Sequence, residues 1–211
     1  MDMDKLRIIL GASILLLASH GAQAVVLTLD FEEQAEGACA SIGTSFVSQG
    51  VQFDKTGNTS GFFACNAGVI SNSTSRAIVD ANGQSQFDMT LASGDPFAFL
   101  SFDAGSRLET PPLRATGIRL TGFINGGGTV ATDVVFNGDD FENFNLTGFL
   151  NLTSVSWLAL NSSSSVLDPQ FLFDNVVIDN MPSAIPIPAA IWLFGTGLLG
   201  LIGFSKRRKA A

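Results

Sequence analysis

GIRLTGFINGGGTVATDVVF, residues 117–136, is the stretch whose reading decides the fold. From Gly117 to Ile124 the side chains alternate: Ile118, Leu120 and Ile124 fall on one face, and Arg119, Thr121 and Phe123 on the other. A two-residue period is that of a strand with one face buried. Asn125-Gly126-Gly127-Gly128 then interrupts the pattern, because three successive glycines suit a sharp reversal. Beyond it Val130, Thr132, Val134 and Phe136 share a face again. Two alternating runs about a glycine turn predict a β-hairpin.

Working outward, the same signature recurs. Gln86-Phe87-Asp88-Met89-Thr90-Leu91 alternates throughout. Further strands are predicted at Val26–Phe31, Ser45–Asp54, Phe97–Asp103, Asn143–Phe149, Ser154–Leu160 and Phe171–Asp179, with the serine run 161–165 as a loop. No part of this region keeps a helical period for a dozen residues. Many short strands between regular turns predict an all-β fold, and the length suits a two-sheet jelly-roll β-sandwich. Tyrosine is absent and phenylalanine supplies 18 residues, so a phenylalanine-rich core is expected. Trp157 alternates in phase with Val155 and Ala159, which favours a core position over a surface platform.

Both ends are apolar and belong to no such sandwich. At the start, Lys5 and Arg7 precede the apolar run Ile8–Ala18, and Ala22-Gln23-Ala24 forms a small-x-small site. This predicts a secretory signal peptide over 1–24, cleaved after Ala24, and an exported domain over 25–181. The domain carries five basic and seventeen acidic residues, a net charge of −12, which repels nucleic acid. Its two cysteines, Cys39 and Cys65, are expected to form a disulfide in an oxidising compartment.

At the other end the apolar run Ala189–Phe204 spans roughly 24 Å as a helix, marginal for a bilayer core. Pro186-Ile187-Pro188 precedes it, Trp192 sits at an interfacial anchor position, and Lys206, Arg207, Arg208 and Lys209 follow as a basic stop on the cytoplasmic side. Its brevity and its glycines are poor for a permanent anchor. The prolines keep the preceding segment extended, so cleavage is expected between Met181 and Ala189.

This tail, residues 182–211, closely resembles the PEP-CTERM sorting domain of Gram-negative bacteria that make exopolysaccharide. The resemblance rests on Pro186-Ile187-Pro188-Ala189-Ala190, on Trp192-Leu193-Phe194-Gly195 and the glycine-spaced run to Gly203, and on the basic cluster; Ile187 stands where the family motif has glutamate. It implies recognition by an exosortase-like membrane protease, transient residence in the inner membrane, and a destination at the cell surface or in a polysaccharide-rich biofilm matrix. The exported domain is similar to the jelly-roll ectodomains that such tails often follow, through Leu29-Asp30-Phe31-Glu32, Gly50-Val51-Gln52-Phe53, Ser101-Phe102-Asp103-Ala104-Gly105 and Phe173-Asp174-Asn175-Val176-Val177-Ile178.

The only histidine, His20, lies in the predicted signal peptide. A Ser-His-Asp triad, a Cys-His nucleophile and a conventional zinc site are thereby excluded from the exported domain. Carboxylates remain, clustered at Asp139, Asp140 and Glu142 and at Glu32, Glu33 and Glu36. A structural Ca²⁺ ion is one use for them: if the first and last strands lie side by side, Asp30 and Glu32 approach Asp174. The competing reading has Asp174 and Asn175 capping the turn into the last strand. The functional expectation is a non-enzymatic surface or matrix protein with a structural or adhesive role. The alternative is a carbohydrate-binding module for exopolysaccharide, and the third reading a glycosidase-like enzyme using a carboxylate pair.

Overall fold

The computed structural model describes residues 25–34, 38–56, 61–66, 75–80, 86–106, 115–137, 140–160 and 170–180. The predicted signal peptide, the sorting tail with Pro186, Ile187, Pro188, Trp192 and Lys206–Lys209, and the serine run lie outside the described residues.

The hairpin that organises the sequence organises the structure. Strand β9 (Gly117–Ile124) pairs with β10 (Thr129–Val135) in antiparallel register, Thr129 opposite Phe123 and Asp133 opposite Arg119. Gly126, Gly127 and Gly128 all take positive φ (94°, 109°, 93°), the backbone region open to glycine without steric cost. A Cβ on Gly117 would stand 2.1 Å from the Val134 carbonyl oxygen, so only glycine lets the hairpin close at its base. Burial follows the predicted alternation: Ile118 and Leu120 are buried and Arg119 and Phe123 exposed.

Around it the chain forms β1 (Val25–Leu29), β2 (Cys39–Gly43), β3 (Ser45–Ser48), β4 (Val51–Lys55), β5 (Phe62–Cys65), β6 (Ala77–Asp80), β7 (Gln86–Leu91), β8 (Ala98–Ser106), β11 (Glu142–Asn145), β12 (Leu152–Leu160) and β13 (Phe171–Asn180). They build two antiparallel sheets, making this a jelly-roll-like β-sandwich. The first runs β11-β8-β13-β6-β5-β2; β1 joins it beside β13, continuing the line of β6. The second runs β10-β9-β12-β7-β4-β3. The first and last strands are indeed neighbours, Leu29 facing Val176.

Three predicted boundaries are corrected. Ser45–Asp54 is a hairpin, because Gln49 and Gly50 both adopt positive φ (45° and 84°) and reverse the chain between β3 and β4. The strand predicted over Asn143–Phe149 ends at Asn145, and Gly148 (φ 82°) redirects Phe149 into the core. Asp174 and Asn175 stand inside β13 and do not cap its start: the register against β8 slips between Asp174 and Val177, forming a bulge where Asn175 takes φ 47°.

Between the sheets lies an aromatic core. Phe31, Phe53, Phe62, Phe87, Phe97, Phe99, Phe102, Phe149, Phe171, Phe173 and Trp157 are each sealed from solvent. Trp157 stacks on Phe87 at 5.3 Å between ring centroids, and Phe87 stacks on Phe173 at 5.2 Å. Such pairs add about 0.5–1.5 kcal/mol each beyond simple burial. The indole N–H of Trp157 meets no acceptor among the described residues. Cys39 and Cys65 face each other across β2 and β5, disulfide-bonded, with α-carbons 4.0 Å apart. The bond joins residues 26 apart and ties an edge strand to the sheet; its constraint on the unfolded chain contributes roughly 3–4 kcal/mol.

Candidate functional site

Four Phe-Asp dipeptides build the polar centres of the two outer faces: Phe53-Asp54, Phe87-Asp88, Phe102-Asp103 and Phe173-Asp174. In each the strand period sends phenylalanine into the core and aspartate to the opposite face of its sheet, where Asp174 is buried and the other three are half-buried. The dipeptides then meet in pairs. Asp54 faces Asp88 between β4 and β7, and Asp103 faces Asp174 between β8 and β13. Each outer face thus carries two carboxylates directly opposite one another, an arrangement that is destabilising unless relieved.

On the first sheet the protein relieves it internally. Asp103 accepts from the side-chain amides of Asn143 (2.7 Å) and Asn175 (2.9 Å). Asn145 in turn donates to Asn143 (3.1 Å). Asp174 is 2% exposed; it accepts from the Asn175 backbone N–H at 2.7 Å and from the Ser75 hydroxyl. Burial pushes its pKa up to about 7, and Asp103 and Glu32 add repulsion, against the opposing effect of its hydrogen bonds. The bulge at Asn175 makes this possible, because it turns a backbone N–H onto the carboxylate.

The second sheet's pair is half-buried on the outer face. Reading across β10, β9, β12, β7, β4 and β3, the register aligns Ala131, Thr121, Ser156, Asp88, Asp54 and Ser45 in one transverse row. Thr90 and Gln52 stand opposite each other in the neighbouring row. Ser45 donates its hydroxyl to Asp54 at 2.6 Å, and the Gln52 amide donates to Asp54 at 2.9 Å. Gln86 donates to Ser156 at 3.3 Å. Partial burial raises the pKa of Asp88; the Ser156 hydroxyl opposes this and the charge of Asp54 adds to it. Among the described residues neither carboxylate is in an ion pair. Phe123, 42% exposed, lies on the same face.

The residues predicted from sequence are distributed differently. Glu32 does come close enough to Asp174 to raise its pKa, but its carboxylate accepts from the Arg76 backbone N–H at 2.8 Å. The Arg76 guanidinium also donates to the Glu32 carbonyl at 3.1 Å and to that of Gln34. Asp30 is exposed and accepts from the Glu32 N–H at 3.4 Å. Among the described residues no three metal-ligating side chains converge. Glu33 accepts from the Ser48 hydroxyl, and Glu142 accepts twice from Asn137 at 2.7 Å, so both carboxylates tie down loops. Asp140 is exposed; Glu36 and Asp139 lie outside the described residues. The pairs Asp54–Asp88 and Asp103–Asp174 were not anticipated, although the fourfold Phe-Asp repetition was there to be seen.

No family model and no curated protein matches the chain. Among solved structures, a family 29 carbohydrate-binding module variant aligns with 10% identity and a TM-score of 0.39 over 78% of this chain and 97% of that one. A family 61 module in complex with β-1,4-galactotriose aligns with 12% identity and a TM-score of 0.38 over 63% of this chain and 90% of that one. The tandem family 22 modules of Xyn10C from Paenibacillus barcinonensis give 12% identity and a TM-score of 0.39, covering 82% of this chain and 50% of that one. At these values no ligand or chemistry transfers, and the fold stands on its own strand pairings.

Proposed function

We propose that the chain is an exported, non-catalytic β-sandwich protein that binds polysaccharide at the cell surface or in the matrix, through the outer face of its second sheet. The observation that carries this reading is the transverse row Thr121, Ser156, Asp88, Asp54 and Ser45. It presents hydroxyls and carboxylates in register across five strands. With strands about 4.8 Å apart the row extends roughly 19 Å, enough for an oligosaccharide. Sugar hydroxyls donate well to carboxylates held by neutral neighbours.

A structural or adhesive role without a sugar ligand is the second reading. The burial of Trp157, the exported domain's one tryptophan, favours it, since a sugar platform is denied that ring. Delivery is proposed from the sequence: a signal peptide, then a PEP-CTERM-like tail handled by an exosortase-like protease. Intact-mass measurement from the native host tests this half; Trp192 and the Lys206–Lys209 cluster remaining on the bulk of the extracellular protein would overturn it. A glycan array probed with the full exported chain tests the other half. Binding should be lost in Asp54→Ala and Asp88→Ala and kept in Asn143→Ala. Loss in Asn143→Ala alone would move the site to the first sheet, and no binding to any glycan would leave the structural reading.

A further inference from the structure

Strand β10 ends the second sheet, and its outer edge is open. The bonds from Ile124 N–H to the Gly128 carbonyl (3.0 Å) and from Phe136 N–H to the Thr116 carbonyl (3.0 Å) fix the phase of the hairpin ladder. Even-numbered residues therefore bond to β9, and Thr129, Ala131, Asp133 and Val135 direct their N–H and C=O groups away from it. Among the described residues these outward groups meet no partner.

Free edges are normally shortened, bulged, charged or covered. The other edges of this sandwich follow that rule. β3 has four residues, and its Val47 carbonyl accepts from Gln34 at 3.2 Å. β2 is broken by a register shift before Gly43, and β11 has four residues. On the free side of β1 the Thr28 carbonyl accepts from Gln49 at 3.4 Å. β10 has seven residues with no lysine, proline or bulge. Its one charge, Asp133, is held by Arg119 through two bonds of 2.7 Å.

We propose that β10 pairs with β10 of a second copy of this chain, antiparallel, joining two second sheets into one. The strand is self-complementary. A two-fold axis through Thr132 sets Ala131 opposite Asp133 of the other copy and Thr129 opposite Val135. Every residue with outward groups then meets another with outward groups. Small Ala131 leaves room for Asp133, and Arg119 on each copy neutralises the two aspartates, so the contact brings together no bare like charges despite the domain's acidity. Val135, 62% exposed in the single chain, gains cover. A basic or lysine-bearing strand from another protein would find no free carboxylate on this edge, which favours the self-pairing.

Sedimentation of the detergent-solubilised full chain over a wide concentration range tests this. Ala131→Pro removes one outward N–H and none of the bonds to β9, and Ala131→Lys places a charge at the junction. The wild type should dimerise, and each variant should need about tenfold more protein or greater to do so, with an unchanged melting temperature at concentrations where wild type and variant are both monomeric. In the wild type, exchange of the Ala131 and Asp133 amide hydrogens should slow as concentration rises. A wild type that stays monomeric would overturn the proposal. So would a dimer indifferent to both variants, as one formed by the tail would be.

Discussion

The two aspartate pairs are the same sequence device in two settings. Both come from Phe-Asp dipeptides, both face each other across antiparallel strands, and both sit on an outer face. Asp103 and Asp174 are enclosed by two asparagine amides, a hydroxyl and a backbone N–H, and one of the two carboxyls is buried. Asp54 and Asp88 have neutral side-chain donors, and both stay only half-buried. A like-charge pair that the fold neutralises belongs to its stability. One that the fold leaves standing costs stability and is better explained by something outside the protein.

The largest predicted effect lies in the enclosed pair, and its sign follows from the pKa. Asp174 titrates near 7 in the folded chain, against its ordinary value of 3.8. Between those values the folded state holds a proton that the unfolded state has released. The contribution to stability is full below about pH 4 and is lost as pH rises through 7, by up to about 4 kcal/mol. Asp174→Asn keeps the shape and an acceptor without the titration. Denaturant unfolding at several pH values should show this variant gaining on the wild type as pH rises from 4 to 8. A constant difference across that window would mean that the carboxyl is not enclosed as described.

How much of this was legible depended on range in the chain. The β9–β10 hairpin and the β7 alternation were read correctly, because their information lies within twenty residues. The phenylalanine core and the Cys39–Cys65 bond were readable from composition and from the count of two. The strands β2, β5 and β6 were missed: they are four or five residues long, with Gly, Ala, Ser and Cys among them, and form because the sheet recruits them. The β3–β4 reversal was missed because Gln49-Gly50 is a weak turn signal beside Asn-Gly. The aspartate pairs join residues 34 and 71 positions apart. Each Phe-Asp unit shows locally that its aspartate points outward; which aspartate it will meet is set by the topology.

A smaller effect is expected at the bulge that makes the two settings differ. Asn175 combines φ 47° with an amide bond to Asp103 at 2.9 Å. Asn175→Ala loses the bond and keeps an unfavourable backbone angle, so a cost of about 2 kcal/mol is expected. Asn175→Gly loses the same bond but relaxes the backbone, and should cost about 1 kcal/mol or less. Chemical denaturation of the two variants measures the gap. Equal costs would show that the bulge needs the amide alone.

The smallest effect has the opposite sign and bears most directly on function. Asp88 faces Asp54 across the strands with no basic side chain in an ion pair with either among the described residues. Replacing one carboxylate by an amide removes the repulsion and keeps the shape. Asp88→Asn should therefore stabilise the domain by about 0.2–1 kcal/mol at neutral pH, where Asp174→Ala should cost about 1–3 kcal/mol. The gain should shrink in part with added salt, because a half-buried pair is still partly screened. Residues whose removal stabilises a fold are commonly those held for binding. The comparison then sharpens to two readouts on one variant, a denaturation midpoint that rises and a glycan-array signal that falls. A midpoint that drops would show that the second pair is structural after all, and that the polar row across β9, β12, β7, β4 and β3 serves the fold.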